Sequence, residues 1–183
     1  MSTVTNVTAG KPKVGGAIYR APLNSTLPTD ATTALDAAFV LLGYVSDDGL
    51  TNSNAITSED IKAWGGDTVL SIQSDYTDNF QFTLLEVLNV DVLKAVYGST
   101  NVTGALATGI TIEANSTERE EGSWVVEMAL RDGAVKRIVI PDAKLTELGD
   151  IVYSDSEAVG YETTITAYPD ASGNTHYEYI IRT

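Results

Sequence analysis

The chain contains no cysteine, which excludes disulfides and thiolate metal sites. Its single histidine, His176, has no second imidazole with which to build a metal site or a proton relay. Basic residues are scarce: 11 against 25 acidic ones, for a formal charge of −14. A surface of that sign repels phosphate backbones and argues against nucleic-acid binding by phosphate neutralisation. No apolar run approaches the ~20 residues that span a bilayer, the longest being short stretches such as residues 37–45. The first six residues carry neither a basic nor an apolar signal region, so no secretory leader is expected and synthesis is placed in the cytoplasm. Phosphate loops of the GxxxxGK or GxGxxG kind and a GxSxG elbow are also missing.

What is present is enough for a fold. A chain of 183 residues with 43% hydrophobic content suits one domain and buries about 70% of its unfolded surface. The organising stretch is residues 67–98. Leu70, Ile72 and Tyr76 alternate with Ser71, Gln73 and Asp75, and Phe80, Phe82 and Leu84 alternate with Gln81 and Thr83. With residues 75–79 as a turn, this reads as a hairpin with one apolar and one polar face. Residues 89–98 then read as a short amphipathic helix, with Asn89 as N-cap, Asp91 in the first turn and Gly98 as terminator. It is too short to stand alone and is expected to dock on the hairpin.

Elsewhere the signals are more local. Residues 1–35, rich in Thr, Ala, Gly and Pro, read as an extended arm, either solvated or anchored by Ile18, Tyr19 and Leu23. Residues 36–183 form the domain. Residues 35–45 are expected to be a buried strand, and residues 58–60 to start a helical turn. Asp47, Asp48, Glu59 and Asp60 lack the EF-hand spacing and read as solvated turns. Residues 99–109 look like a flexible loop, 111–115 like a short strand, and 116–122 like a charged loop tip. The carboxylates there have no supporting glycosidase features.

Trp124, Val126, Met128 and Leu130 share a strand face. A three-residue loop 131–133 with Gly133 left-handed sets Ile138 and Ile140 on that same face, with Lys136 at its edge. A two-residue turn would leave Arg137 there instead. Pro141 is expected to end that strand. Residues 143–148 remain open between helix and strand, while 151–153 and 161–168 read as strands. Residues 169–174 form a turn, and 176–181 close a final hairpin. The residues alone thus describe an acidic, mainly β, non-enzymatic domain with one helix, polar loops and a docking arm, with no cofactor implied.

Three segments carry a resemblance to a known family. Gly10-Lys11-Pro12-Lys13-Val14-Gly15-Gly16-Ala17-Ile18-Tyr19-Arg20-Ala21-Pro22, the run from Gly43-Tyr44-Val45-Ser46-Asp47-Asp48-Gly49-Leu50 to Glu59-Asp60-Ile61-Lys62-Ala63-Trp64-Gly65-Gly66-Asp67, and Gly160-Tyr161-Glu162-Thr163-Thr164-Ile165-Thr166 occur in order. Together they resemble the major tail tube proteins of long-tailed, non-contractile bacteriophages. The resemblance implies two packed antiparallel sheets (a β-sandwich or barrel) flanked by one helix, with an extended N-terminal arm and a long inter-ring loop. It also implies six subunits per ring, and rings stacked into a tube through which genomic DNA passes without specific binding. Expected partners are further copies of the chain and the tape-measure, terminator and distal tail proteins, with no membrane; the expected location is the virion tail, after synthesis in the host cytoplasm.

On that reading Lys13, Ile18, Tyr19, Asp47, Asp48 and Trp64 are inter-ring candidates. Ser71, Gln73, Asp75, Gln81 and Thr83 are lumen-facing candidates, and the chain is expected to lack the immunoglobulin-like domain that some relatives carry. Another virion tube, a head–tail joining component or an acidic carbohydrate-binding β module are the alternatives.

Overall fold

The computed structural model describes residues 2–13 and 16–182; Met1, Thr183 and the Val14 and Gly15 of the arm motif lie outside the described residues. The N-terminal strands are β1 (Lys11–Pro12), β2 (Ile18–Pro22), β3 (Val40–Leu41), β4 (Val45–Lys62) and β5 (Thr68–Leu84). After helix α1 (Val90–Tyr97) come β6 (Val102–Ala105), β7 (Gly109–Ile112), β8 (Gly122–Ala129) and β9 (Ala134–Leu148). The last two are β10 (Tyr161–Tyr168) and β11 (Tyr177–Arg182). The protein is mainly β with one α-helix, as its composition and alternation led one to expect.

The main sheet is antiparallel in the order β3-β2-β8-β9-β10-β5-β4, with β1 on β8 and β11 on β9; β6 and β7 form a separate ribbon. The two expected layers are two halves of this one sheet. Ile18, Trp124, Val126, Ile138 and Ile140 from one half share a core with Phe80, Phe82, Leu84 and Ile165 from the other. Phe82 and Trp124 meet across it at 6.0 Å between ring centroids.

The bend between the halves lies in β9, which continues through Pro141 rather than ending there. Opposite β8 the register jumps from Trp124↔Ile140 to Gly122↔Ala143, so Pro141 and Asp142 face the single residue Ser123 in a β-bulge. A bulge asks no ladder hydrogen bond of proline, and the Ser123 hydroxyl donates to the Pro141 carbonyl at 2.7 Å.

Several expectations are corrected by this pairing. Residues 75–79 are not a turn: β5 runs straight through them, because β4 offers an unbroken partner from Leu50 to Lys62. The hairpin turn is instead at residues 63–67, closed by Ala63 N–H to Asp67 O at 2.8 Å. Residues 58–60 therefore lie in a strand and start no helical turn. Residues 35–45 contribute only the two residues of β3 and the first of β4; Phe39 and Leu42 are buried from irregular backbone. Residues 99–109 include β6, and the expected strand at 111–115 is β7, ending at Ile112.

Residues 143–148 belong to β9, whereas 151–153 form no strand. β11 does not close a hairpin with β10. Both lie on the same edge of β9, β10 along Asp142–Leu148 and β11 along Ala134–Val139, with the loop between them bulging out.

Other features follow the sequence closely. The Asn89 side chain accepts from the Asp91 N–H at 3.0 Å, and Gly98 takes φ 96°, which disfavours any residue with a Cβ. Val92, Leu93, Ala95 and Val96 turn into the core, and Tyr97 meets Tyr161 edge-on at 5.8 Å. The β8–β9 loop is the three-residue one, with Asp132 and Gly133 both at positive φ, and it pairs Trp124 with Ile140 and Val126 with Ile138. Lys136 sits at the edge of that face and reaches Glu178.

Replacing Asn89 with Ala removes one satisfied helix donor. It should cost about 1 kcal/mol and lower the melting temperature by about 2–4 °C, measured by thermal unfolding.

Candidate functional site

The hairpin of β4 and β5 has two distinct parts. From Asn79 to Leu84, β5 is also paired with β10 and its apolar residues Phe80, Phe82 and Leu84 are buried. Beyond Asp78 it pairs only with β4, and the two strands project from the body as a solvent-exposed ribbon. A lone two-stranded ribbon of this length is marginal in water, so this one calls for a partner.

The expected apolar face of β5 does not run its whole length. Thr57 pairs with Asp75 but Ser58 pairs with Gln73, so Ser74 is an extra, bulged residue. One inserted residue inverts the alternation beyond it. Asp75, Asn79, Gln81 and Thr83 therefore share one face, opposite Thr57, Ser53 and Thr51, while Ser71 and Gln73 lie on the other face, opposite Asp60 and Ser58. Leu70 and Ile72 move to the face of Gln81 and Thr83. They are 52% and 47% exposed rather than turned to the core.

The face of Gln81 and Thr83 continues across β10 and the second half of β9. Glu162, Thr164 and Thr166 stand opposite Thr83, Gln81 and Asn79, and Lys144 stands opposite Thr166. Side-chain bonds knit this wall: Gln81 donates to Glu162 at 2.7 Å, Thr166 to Asn79 at 2.8 Å, and the Thr146 and Thr166 hydroxyls meet at 2.8 Å. The wall is open to solvent and dominated by threonine and amide groups. Its opposite side packs on the core that α1 covers. The alternating Thr and Glu of residues 161–168 was the sequence signal for it. Which strands would stand beside β10 could not be read from that alternation.

Over the other half of the sheet the same face is roofed by residues 24–39. Phe39, Leu27 and Leu35 pack there on Val125 and Val139. Beneath this strap Glu127 and Arg137 stand opposite each other and form a buried ion pair, with Arg137 Nε 3.0 Å from Glu127 Oε1. The Arg137 guanidinium also donates to the Asp30 and Thr33 carbonyls at 2.8 and 2.9 Å, so the pair ties the strap to the sheet. Lys13 adds a second cation, 2.6 Å from Glu127 Oε2. Burial alone would push the Glu127 carboxyl up. Hydrogen bonds and charge from Lys13 and Arg137 outweigh it and hold the carboxyl below its ordinary value of 4.5. The Glu127–Arg137 contact was implicit in the three-residue loop, but its burial depended on the strap.

At the root of the ribbon, Asp78 is fully buried and accepts from Asn52 at 2.7 Å and from Thr175 at 2.6 Å. His176 Nδ1 lies 2.6 Å from the same carboxylate, with its ring edge-on to Phe80. The lone histidine thus fastens the loop between β10 and β11 to the ribbon.

The inter-ring candidates are spread over both ends of the molecule. Ile18 is 1% exposed and lies in this chain's own core, and Tyr19 is half-buried in β2 opposite Val125. Lys13 is exposed beside Glu127, and Asp47 and Asp48 are exposed where β4 begins. Trp64 stands fully exposed at the ribbon tip. Among the described residues no group of three or more His, Asp or Glu is placed to hold a metal ion. No helix is long and apolar enough to cross a membrane.

The chain is thus mainly β, with an open polar wall on one half of its sheet and a projecting two-stranded ribbon. The family model for phage tail tube proteins matches residues 6–183, and the chain belongs to that family. Its role is that of a structural component of a bacteriophage tail tube, located in the virion tail. No curated protein sequence matches the chain.

The depressed Glu127 carboxyl contributes stability that is present above its ordinary value and lost as pH falls through the lower folded value. Glu127→Gln should cost about 3–5 kcal/mol near neutral pH, because Arg137 is left buried without its counter-charge. It should also flatten the acid limb of stability against pH, measured by urea unfolding from pH 3 to pH 7.

Proposed function

We propose that this chain forms six-membered rings that stack into the tail tube, and that the threonine-rich wall lines the channel for genomic DNA. The single observation that carries this reading is the open wall itself, polar on one side and backed on the other by the core under α1. Thr51, Ser53, Asn79, Gln81, Thr83, Thr164 and Thr166 present hydroxyl and amide groups with few cations. DNA meets a wet surface with little positive charge to hold its phosphates. Asp75, Gln81 and Thr83 are retained as lumen-facing, while Ser71 and Gln73 are proposed to face ring neighbours.

The sheet edges support ring closure. Among the described residues, β4 has no partner on its outer edge, and residues 144–148 of β9 have none on the side where β8 has ended. The wall comprises four antiparallel strands, β9, β10, β5 and β4. An even number lets β4 of one copy meet β9 of the next antiparallel, so alternation survives round the ring. Pairing also removes a long exposed edge that would otherwise promote aggregation. Six copies giving four strands each, ~4.8 Å apart and tilted by ~40°, close at a backbone diameter of about 48 Å. After side chains are subtracted, that bore still passes a duplex.

Tape-measure, terminator and distal tail proteins are the remaining partners on this reading. Assembly follows synthesis in the host cytoplasm, and of the N-terminal arm of residues 1–35 only the exposed residues 2–13 are assigned to contacts between successive rings, because β2 and the strap pack on this chain's own sheet.

The purified full chain, alone or with the distal tail and tape-measure proteins, should form hollow rings or tubes in negative-stain images; monomers under every such condition would overturn the proposal. Replacing both Thr83 and Thr164 with Arg should leave tube formation intact but slow DNA release in an ejection assay, because each cation adds phosphate contacts along the channel.

A further inference from the structure

The charged loop tip at residues 116–122 stands beside the one cation of the polar wall. Two basic residues occur on β4, β5, β10 and the second half of β9. Lys62 lies at the ribbon tip, opposite Thr68. Among the described residues only Lys144 stands on the wall itself, opposite Thr166. The face is open there, yet only 19% of the Lys144 side chain is exposed. Its ammonium donates to Glu118 across a groove lined by Ser116, Thr146 and Leu148, and lies 6.0 Å from the Tyr168 ring centroid.

The loop that carries Glu118 is fastened from its other side. Arg119 Nε donates to the Val96 carbonyl of α1 at 2.9 Å, and Nη1 donates to the Thr117 carbonyl at 2.8 Å. Asn115 accepts from the Thr117 N–H at 3.0 Å and donates to the Asn101 side chain at 3.0 Å. The Ser99 hydroxyl donates to Glu120. Arg119 and Glu120 thus bind the loop to the end of the helix, while Glu118 leans over β9. Its hydrogen bond holds the Lys144 ammonium above the ordinary value of 10.5, with the charge of Glu118, Tyr168 and Glu121 adding to it. The same bond holds the Glu118 carboxyl below 4.5, so the two opposite charges persist together across the neutral range.

We infer that Glu118, supported by Glu121, masks the wall's one cation, so that Lys144 offers no free ammonium to phosphates moving along the channel. This rests on the channel reading above and names the residues that keep the wall from gripping DNA. Glu118 and Glu121 are positioning residues: they act on DNA through Lys144. One unmasked lysine makes a weak phosphate contact. Repeated in every subunit of every ring, such contacts act together on one duplex, and their sum is a salt-dependent drag on DNA that must slide. The masking pair lets Lys144 serve the wall's packing on Tyr168 without that drag.

The experiment uses open tubes of the full-length chain, mixed with a short labelled duplex, treated with a nuclease too large for the bore, and sedimented over a salt series. Glu118→Gln combined with Glu121→Gln should protect about tenfold more duplex than wild type at about 50 mM salt, the excess vanishing by about 200 mM. Adding Lys144→Gln should return protection to the wild-type level. A merely structural pair would change the melting temperature and leave this salt dependence where it was. Excess protection that survives Lys144→Gln would overturn the masking role, because it would follow from lost acidic charge alone. Wild-type protection in the double Gln variant, with raised protection in tubes carrying Thr83→Arg and Thr164→Arg, would overturn it and leave the channel reading in place. A double Gln variant that folds but forms no tubes would assign the loop to contacts between copies and overturn it too. Unchanged protection in both sets of variants would remove the channel reading and this inference together.

Discussion

The pairing of β8 with β9 decides which side of this protein is interior. With Trp124 opposite Ile140 and Val126 opposite Ile138, the bulky apolar residues of both strands meet Phe80, Phe82 and the helix on one face. The same register sends Glu127 and Arg137 to the other face, where a salt bridge would be exposed and weak if nothing covered it. The strap of residues 24–39 covers it. Arg137 answers two strap carbonyls and Glu127 together, so the cost of burying the charges is met by a filled set of hydrogen bonds. Half of the sheet's outer face is sealed in this way. The other half is left open, and that asymmetry creates the polar wall.

Two β-bulges shape the rest. The one at Pro141 and Asp142 lets a single long strand serve both halves of the sheet, so the core is closed by one continuous sheet bent over itself. The one at Ser74 divides the ribbon from the wall. Below it, the face of Gln81 is polar; beyond it, the same face carries Leu70 and Ile72. A hairpin without that extra residue would carry its polar alternation to the tip. With it, the wall stays polar while the projecting part carries exposed apolar side chains on the same face. Among the described residues the outer edge of β4, and residues 144–148 of β9 on the side of β8, have no strand partner.

Local chemistry was legible where a few neighbouring residues suffice. Asn89, Asp91 and Gly98 marked the helix because capping involves atoms within a turn of each other. The strand at residues 161–168 and the turn after it were legible for the same reason, as was the loop at residues 131–133. Errors fell where a local signal met a distant partner. Asp75, Asp78 and Asn79 favour a turn, yet β4 lies alongside and Asp78 finds Asn52, Thr175 and His176 as partners. Pro141 is a strand breaker only where a ladder bond is required of it, and at a bulge none is. Ser58, Glu59 and Asp60 resemble a helix start, but their backbones are paired with β5.

By itself the sequence determined the acidic composition, the absence of cysteine, the β alternation and the single capped helix. These depend on composition and on contacts within a few residues. Only the tertiary structure decided that Ser71 and Gln73 part company with Gln81 and Thr83, that Thr146, Thr164 and Thr166 join the wall, and that Trp64 stands exposed at the tip of a projecting ribbon. The reason is parity: a single bulge inverts every side chain beyond it, and its position is fixed by the register of β5 against β4, which the alternation within β5 alone does not reveal.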